Sequence, residues 1–120
     1  MLWRPRGVLD EILANRIVAF VETEERTESE PFNRFTDLSN LEAIQIRFGH
    51  VFEIAQQRRK AVEHKPPVKS AIYAHSMVGF GVARMYETLM EPSTIDVRAF
   101  CNLADVVRWL EVPAELLLEG

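Results

Sequence analysis

From Val68 to Leu110 the apolar spacing runs strand, helix, strand, helix with only short links between, and no other feature of the chain limits its fold so strongly. Val68-Lys69-Ser70-Ala71-Ile72-Tyr73-Ala74 reads as a strand. Val78, Val82, Met85, Tyr86 and Leu89 then recur at helical spacing, and Pro92 marks the end of that helix. Ile95, Val97 and Ala99 alternate, so Thr94–Phe100 reads as a second strand. Asn102 opens another helix, with Asp105 three residues on and a buried stripe of Leu103, Val106, Val107 and Leu110. Val112-Pro113 stops it, and Pro113 starts one last turn through Leu118. Such alternation argues for parallel strands joined by right-handed crossovers.

The first half is less regular. Val8–Ala14 reads as a short helix with Leu9, Ile12 and Leu13 on one side. Arg16–Glu22, with Ile17-Val18-Ala19-Phe20-Val21 at its centre, reads as a strand buried on both faces. Thr23–Asn33 is polar and reads as an exposed connection; Arg34–Ser39 reads as a strand, and Leu41–Arg47 as strand or extended loop. Phe48, Val51, Phe52, Ala55 and Val62 then fall on one helical face, and the helix must end before Pro66-Pro67. The expectation is one α/β domain over residues 1–120: a four- or five-stranded mixed sheet with flanking helices.

A chain of 120 residues buries roughly two-thirds of the surface its unfolded form exposes, so it carries a core without disulfides or a metal. The net charge of −4 argues against a nucleic-acid surface, and Glu22, Glu24, Glu25, Glu28 and Glu30 crowd one short stretch. The single cysteine, Cys101, fits a reducing compartment. With no apolar run of membrane-spanning length and no signal-peptide pattern, a cytoplasmic protein without membrane insertion is expected.

Arg34–Ser39, Ala71–Ala74, Gly81-Val82-Ala83-Arg84-Met85-Tyr86-Glu87, Val97–Phe100 and Trp109-Leu110 follow one another in an order that resembles the anti-sigma-factor-antagonist-like (SpoIIAA-like, STAS-type) family of small bacterial proteins. The order and spacing carry the similarity, which covers most of the chain. The resemblance implies a compact mixed sheet flanked by helices, and no activity. Phosphorylatable antagonists carry Asp-Ser-Ser-Gly-Leu-Gly at a helix start, where this chain has Ser76-Met77-Val78-Gly79-Phe80-Gly81. With the glycines aligned, Val78 stands in the place of the phosphorylated serine, so a phospho-switch of that kind does not carry over to it. Lipid-transfer relatives imply an apolar ligand.

Ser76 lies between strand and helix. As an N-cap it accepts a hydrogen bond from the helix backbone; alternatively the first-turn N–H groups of Met77, Val78 and Gly79 hold an anion. Gly79 and Gly81 admit either a ligand or close packing, and His75, Asp37 or Ser39 would add polar contacts. The candidate ligand-binding set is therefore Ser76, Met77, Gly79, Gly81, His75 and Asp37. A Ser76–His75–Asp37 hydrolase is the third reading, with no nucleophile elbow behind it. No histidine pair has metal-ligand spacing, and no metal or cofactor is expected. Arg58-Arg59-Lys60 reads as a solvated face rather than a phosphate patch, Arg84 and Glu87 as a surface pair, and His50 and His64 as solvent-facing. Cys101 reads as a small buried filler or as a thiol at a helix start; Trp109 reads as core.

The leading functional expectation is a non-catalytic regulatory or protein-interaction module. Leu116-Leu117-Leu118 cannot all face one core, so the tail suggests a homodimer surface. The alternative is a carrier of a small apolar or anionic ligand, with Phe20, Phe35, Phe48, Phe52, Phe80, Met85 and Tyr86 as candidate pocket residues.

Overall fold

The computed structural model describes residues 1–28 and 30–118, Leu118 by its backbone alone. In chain order the elements are β1 (Leu2–Trp3), β2 (Gly7–Leu9), α1 (Glu11–Thr27), β3 (Arg34–Asp37), β4 (Leu41–Ile44), α2 (Phe48–Ala61), β5 (Val68–Tyr73), α3 (Met77–Leu89), β6 (Ile95–Phe100), α4 (Leu103–Leu110) and α5 (Ala114–Leu118). Four strands form a sheet in the order β1-β3-β5-β6, and β2 pairs with β4 in a separate two-stranded ribbon. The β5–α3–β6–α4 run is present as its spacing predicts. Val68 pairs with Ile95 and Tyr73 with Phe100 in parallel register.

Three expectations about the elements are corrected, the first being the short helix at Val8–Ala14: Val8 and Leu9 belong to β2, and α1 begins at Glu11. Every strand pairing among the described residues is parallel, so the sheet is not mixed. Arg16–Glu22 is not a strand but the middle of the 17-residue helix α1, which also absorbs the start of the expected 23–33 connection. The reason lies in the spacing. Ala14, Ile17, Val18 and Val21 recur at three- and four-residue intervals, which puts them on one helical face. Asp10 caps the helix by accepting from the Leu13 N–H at 2.8 Å, and the glutamate-rich second half favours helix. The β-branched run fits both conformations locally; the cap and the stripe decide between them.

The sheet separates two apolar clusters. On one side Ala55, Val62, Val68, Met90, Ile95 and Val97 pack together, with Ile72, Tyr86 and Leu89 against them. On the other, Phe35, Ala71, Val106, Leu110 and Leu117 gather beneath α4 and α5. The alternation along β3 and β5 follows from strand geometry: Thr36 and Ile72 face the first side, Phe35 and Ala71 the second. Leu117 turns inward and Leu116 is half exposed, so the tail resolves the leucine run by splitting it between core and solvent.

Because the strands are parallel, α1, α2 and α3 all begin near the carboxyl edge of the sheet. Side-chain contacts bind these starts together. Arg47, just before α2, is bonded to Glu11 of α1, and His50 of α2 meets Asn15 of α1 at 2.9 Å. Ile44, at the end of β4, packs beside Gly79 of α3. The far ends of α1 and α2 meet at the opposite edge, where β3 begins.

Candidate functional site

The predicted residues assemble at the carboxyl edge, where Ser76, Gly79 and Asp37 have structural roles and His75, Met77 and Gly81 are exposed. Ser76 is the N-cap of α3: its Oγ accepts from the Gly79 N–H at 3.0 Å. Gly79 is buried, and a Cβ placed there would lie 2.9 Å from Ser76 Oγ, 3.1 Å from Ala74 Cβ and 3.2 Å from Ile44 Cδ1. Glycine is therefore required so that α3 can approach β4 and the end of β5. Gly81 is exposed, with open space where a Cβ would go.

Asp37 is buried, and its carboxylate has two tasks. Oδ2 takes the Arg4 Nε–H at 3.0 Å, and Oδ1 accepts the Ser39 N–H at 2.9 Å, which closes the turn into β4. Asp37 lies beside Tyr73 in register, so it shares an edge with His75 and Ser76. The edge is common to the three residues, but Asp37 orders the β1–β2 link and the turn, and Ser76 serves its own helix. His75 is exposed, and Met77 is 92% exposed.

Met77 has company. Val78 is 62% exposed, Phe48 73%, Ile12 71% and Phe52 44%. Each lies in the first turns of α1, α2 or α3. Phe48 and Phe52 were expected inside; instead α2 buries Val51, Ala55 and Arg58, one face at intervals of four and three. The carboxyl edge thus carries an apolar rim built from three helix starts.

The sequence reading missed the polar centre of the molecule. Arg58 is not part of a solvated face: it is 3% exposed. Its two terminal nitrogens donate to Glu25 at 2.9 and 2.6 Å, and Nη1 also reaches Glu22 at 3.2 Å. Arg34, 7% exposed at the start of β3, pairs with the same Glu25 at 2.7 Å and lies over the Phe32 ring. Arg34 opens β3 and Asp37 closes it, so the two lie at opposite edges of the sheet. The signal was available as spacing. The α1 stripe continues through Glu22 and Glu25, four residues beyond Val18 and Val21, so two of the crowded glutamates point inward.

Burial pushes the Glu25 carboxyl up, but the hydrogen bonds and charge of Arg58, then Arg34, outweigh it and hold the group below its ordinary range. Burial pulls the Arg34 guanidinium down, against the attraction of Glu25. The Tyr86 phenol, beside Arg58, is raised chiefly by burial.

Between α1 and the sheet lies a cavity of about 150 Å³. Ile17, Val18 and Val21 form one wall, and Thr36, Ser70 and Ile72 lie on the sheet side. Of the pocket residues expected from sequence, Tyr86 lines it; Phe35 is in the opposite core and Phe48 and Phe52 face out. A wider groove of about 410 Å³ runs along the other side of the sheet, past Leu2, Phe35, Leu110 and Leu116.

Elsewhere Arg84 and Glu87 pair at 2.9 Å as expected. Cys101 is exposed, which removes the filler reading. Trp109 is half-buried against Phe100, with Lys69 and Arg98 over its ring. His64 is exposed, but the His50 side chain is mostly covered. Among the described residues no helix is long and apolar enough to cross a membrane, and no group of three or more His, Cys, Asp or Glu residues is placed to hold a metal ion. Compared with family models, curated proteins and solved structures, the chain matches none.

Proposed function

We propose that this chain is a non-catalytic regulatory or interaction module of the anti-sigma-factor-antagonist-like kind, engaging a protein partner through the rim at its carboxyl edge. The observation that carries the reading is the joint exposure of Met77, Phe48, Ile12 and Val78 at the starts of three helices, of which α1 and α2 are tied by Arg47–Glu11 and His50–Asn15 and α3 packs on Ile44 of β4. Apolar side chains gathered in this way mark contact surfaces, and a second copy of the chain is the simplest partner because two-fold homodimers are the commonest assemblies. Strand–helix alternation through β6 and α4, and the residue order of the resemblance, support the family assignment.

Sedimentation of the wild type and of a Met77→Glu, Phe48→Glu double variant tests this. Both positions are exposed, so the fold should tolerate the charges. A concentration-dependent dimer in the wild type that the variant loses is expected. A wild-type monomer at several hundred micromolar, unchanged in the variant, removes self-association through the rim.

A second reading, a carrier of small apolar molecules, draws on the cavity beneath α1. In place of the phenylalanines expected from sequence, its walls are mainly aliphatic residues of three helices and the sheet, with Arg34, Arg58 and Tyr86 among them.

A further inference from the structure

The cavity beneath α1 has an apolar body and one polar end. Val18 and Val21 of α1, Ile54 of α2, Val82 of α3 and Ile72 and Val97 of the sheet form the body. Arg34, Arg58 and Tyr86 also line it. Helix α1 is 17 residues long, yet Ala14 is its only fully buried residue among those described. Ile17, Val18 and Val21 remain half-buried on the face turned to the sheet, because the space before them is not filled.

At the polar end stands Arg34, which carries one unanswered donor. Arg34 is 7% exposed, and its Nε has no hydrogen-bond partner, although its terminal nitrogen is held by Glu25 at 2.7 Å. A buried N–H without an acceptor is uncommon and costs stability that the surrounding structure must supply. Arg34 also borders the groove on the far side of the sheet, from which alternation along β3 turns its side chain away, and a smaller pocket of about 190 Å³ with Glu25, Phe32 and Val68 on its own side.

Charge narrows the chemistry of the missing acceptor. Arg34 and Arg58 face Glu25 and Glu22, so two cations are matched by two anions. The Met1 amino group also lies near Arg34, with Glu24 and Glu28 close enough to offset it. A carboxylate ligand would add an unmatched negative charge to an apolar space beside Glu25. A neutral oxygen would satisfy Nε without that cost. The size is also bounded, since a void of about 150 Å³ accepts a benzene-sized molecule.

We infer that the cavity is a binding site for a small uncharged molecule, about the size of one six-membered ring, whose single hydroxyl or carbonyl oxygen accepts a hydrogen bond from Arg34 Nε. The inference rests on the carrier reading and is independent of the rim.

Methyl-detected NMR titration of the full chain with benzyl alcohol, toluene and benzoate tests it. The three probes share a ring and differ in bearing a neutral acceptor, none, or a charge. Benzyl alcohol should shift the methyl signals of Val18, Val21 and Ile72 and bind about fivefold to tenfold more tightly than toluene, with benzoate weakest. Val18→Phe, which places a ring in the void, should abolish these shifts while the rest of the spectrum keeps its dispersion. If that variant does not fold, Val21→Leu serves with a smaller expected loss. Toluene binding as tightly as benzyl alcohol, or benzoate binding most tightly, overturns the neutral-acceptor assignment and leaves the carrier reading standing. Failure of all three probes to move these methyls overturns both. Binding unchanged in a folded Val18→Phe variant overturns the site.

Discussion

Arg58 and Glu25 are joined by two parallel hydrogen bonds, 2.9 and 2.6 Å long, that clamp α2 against α1 at the end remote from the rim. Glu25 also holds Arg34 of β3, so one carboxylate fastens two helices to the sheet. Breaking a buried pair leaves the remaining charge without compensation, which typically costs about 3–5 kcal/mol. Here two guanidinium groups lose their shared partner, with Glu22 still beside Arg58. Glu25→Gln should therefore lower the urea midpoint by an amount equivalent to about 3–5 kcal/mol at neutral pH. A loss below about 1 kcal/mol would mean the cluster behaves like an exposed pair.

The same carboxylate sets an acid limb. Its folded pKa lies below the ordinary value of 4.5, so the folded state binds fewer protons than the unfolded state between the two values. The stability Glu25 contributes is present above about 4.5 and falls as pH drops through the lowered folded value. Urea melts of wild type and Glu25→Gln at a series of pH values from 7 to about 3 should converge as the pH falls. A gap that stays constant would remove Glu25 as the titrating group.

How much of this was legible follows from where the deciding information lies. The β5–α3–β6–α4 run was readable because each segment carries its own signal: Val82 and Tyr86 for the helix, Ile95 and Val97 for the strand, Asn102 at a cap where its side chain does accept from the Ala104 N–H at 2.8 Å. Helix α1 was misread because Ile17–Val21 satisfies a strand and a helix equally over five residues. Only the longer stripe from Ala14 to Glu25 separates them. The face of α2 was set by a tertiary partner: Arg58 turns inward to reach Glu25, which carries Val51 and Ala55 with it and leaves Phe48 and Phe52 outside. Spacing among apolar residues alone does not reveal an arginine as the inner position.

The two glycines of α3 should respond oppositely to alanine. At Gly79 a methyl would press on Ala74 Cβ at 3.1 Å and Ile44 Cδ1 at 3.2 Å, and α3 would have to move off β4. Overpacking of this sort costs about 1–3 kcal/mol. Gly81 is exposed within the helix and its methyl meets nothing. Gly81→Ala should then stabilise by roughly 0.5–1 kcal/mol through reduced backbone freedom in the unfolded chain. Thermal melts of the two variants that shift in the same direction would contradict the packing described for α3.

Ser76→Ala isolates the cap. Its Oγ is the acceptor for the Gly79 N–H, and loss of such an acceptor costs about 0.5–2 kcal/mol. Amide exchange should speed up at Gly79 and in the first turn of α3, with little change in α4. Ser76→Asp keeps an acceptor and should recover most of the loss, since a carboxylate also suits the positive end of a helix. Equal destabilisation by both substitutions would show that the hydroxyl is not acting as a cap.

Ile72 and Met90 offer a comparison that tests whether the space under α1 is real. Met90 is fully buried in the cluster formed with Val62, Ile95 and Val97, so its truncation opens a new void in filled core. Met90→Ala should cost about 2–5 kcal/mol. Ile72 belongs to the neighbouring strand and packs on the same cluster, but it is only half-buried and borders the existing cavity. Atoms beside an empty space already lack contacts on that side, so removing them forfeits less dispersion and less burial. Ile72→Ala should therefore fall at or below the lower end of the same range, about 2 kcal/mol or less. It should also enlarge the cavity, so toluene at a few millimolar would raise the melting temperature of Ile72→Ala by more than that of the wild type. Equal costs at the two positions, with no gain in toluene stabilisation, would mean that the side chains around Ile72 close over the space in solution.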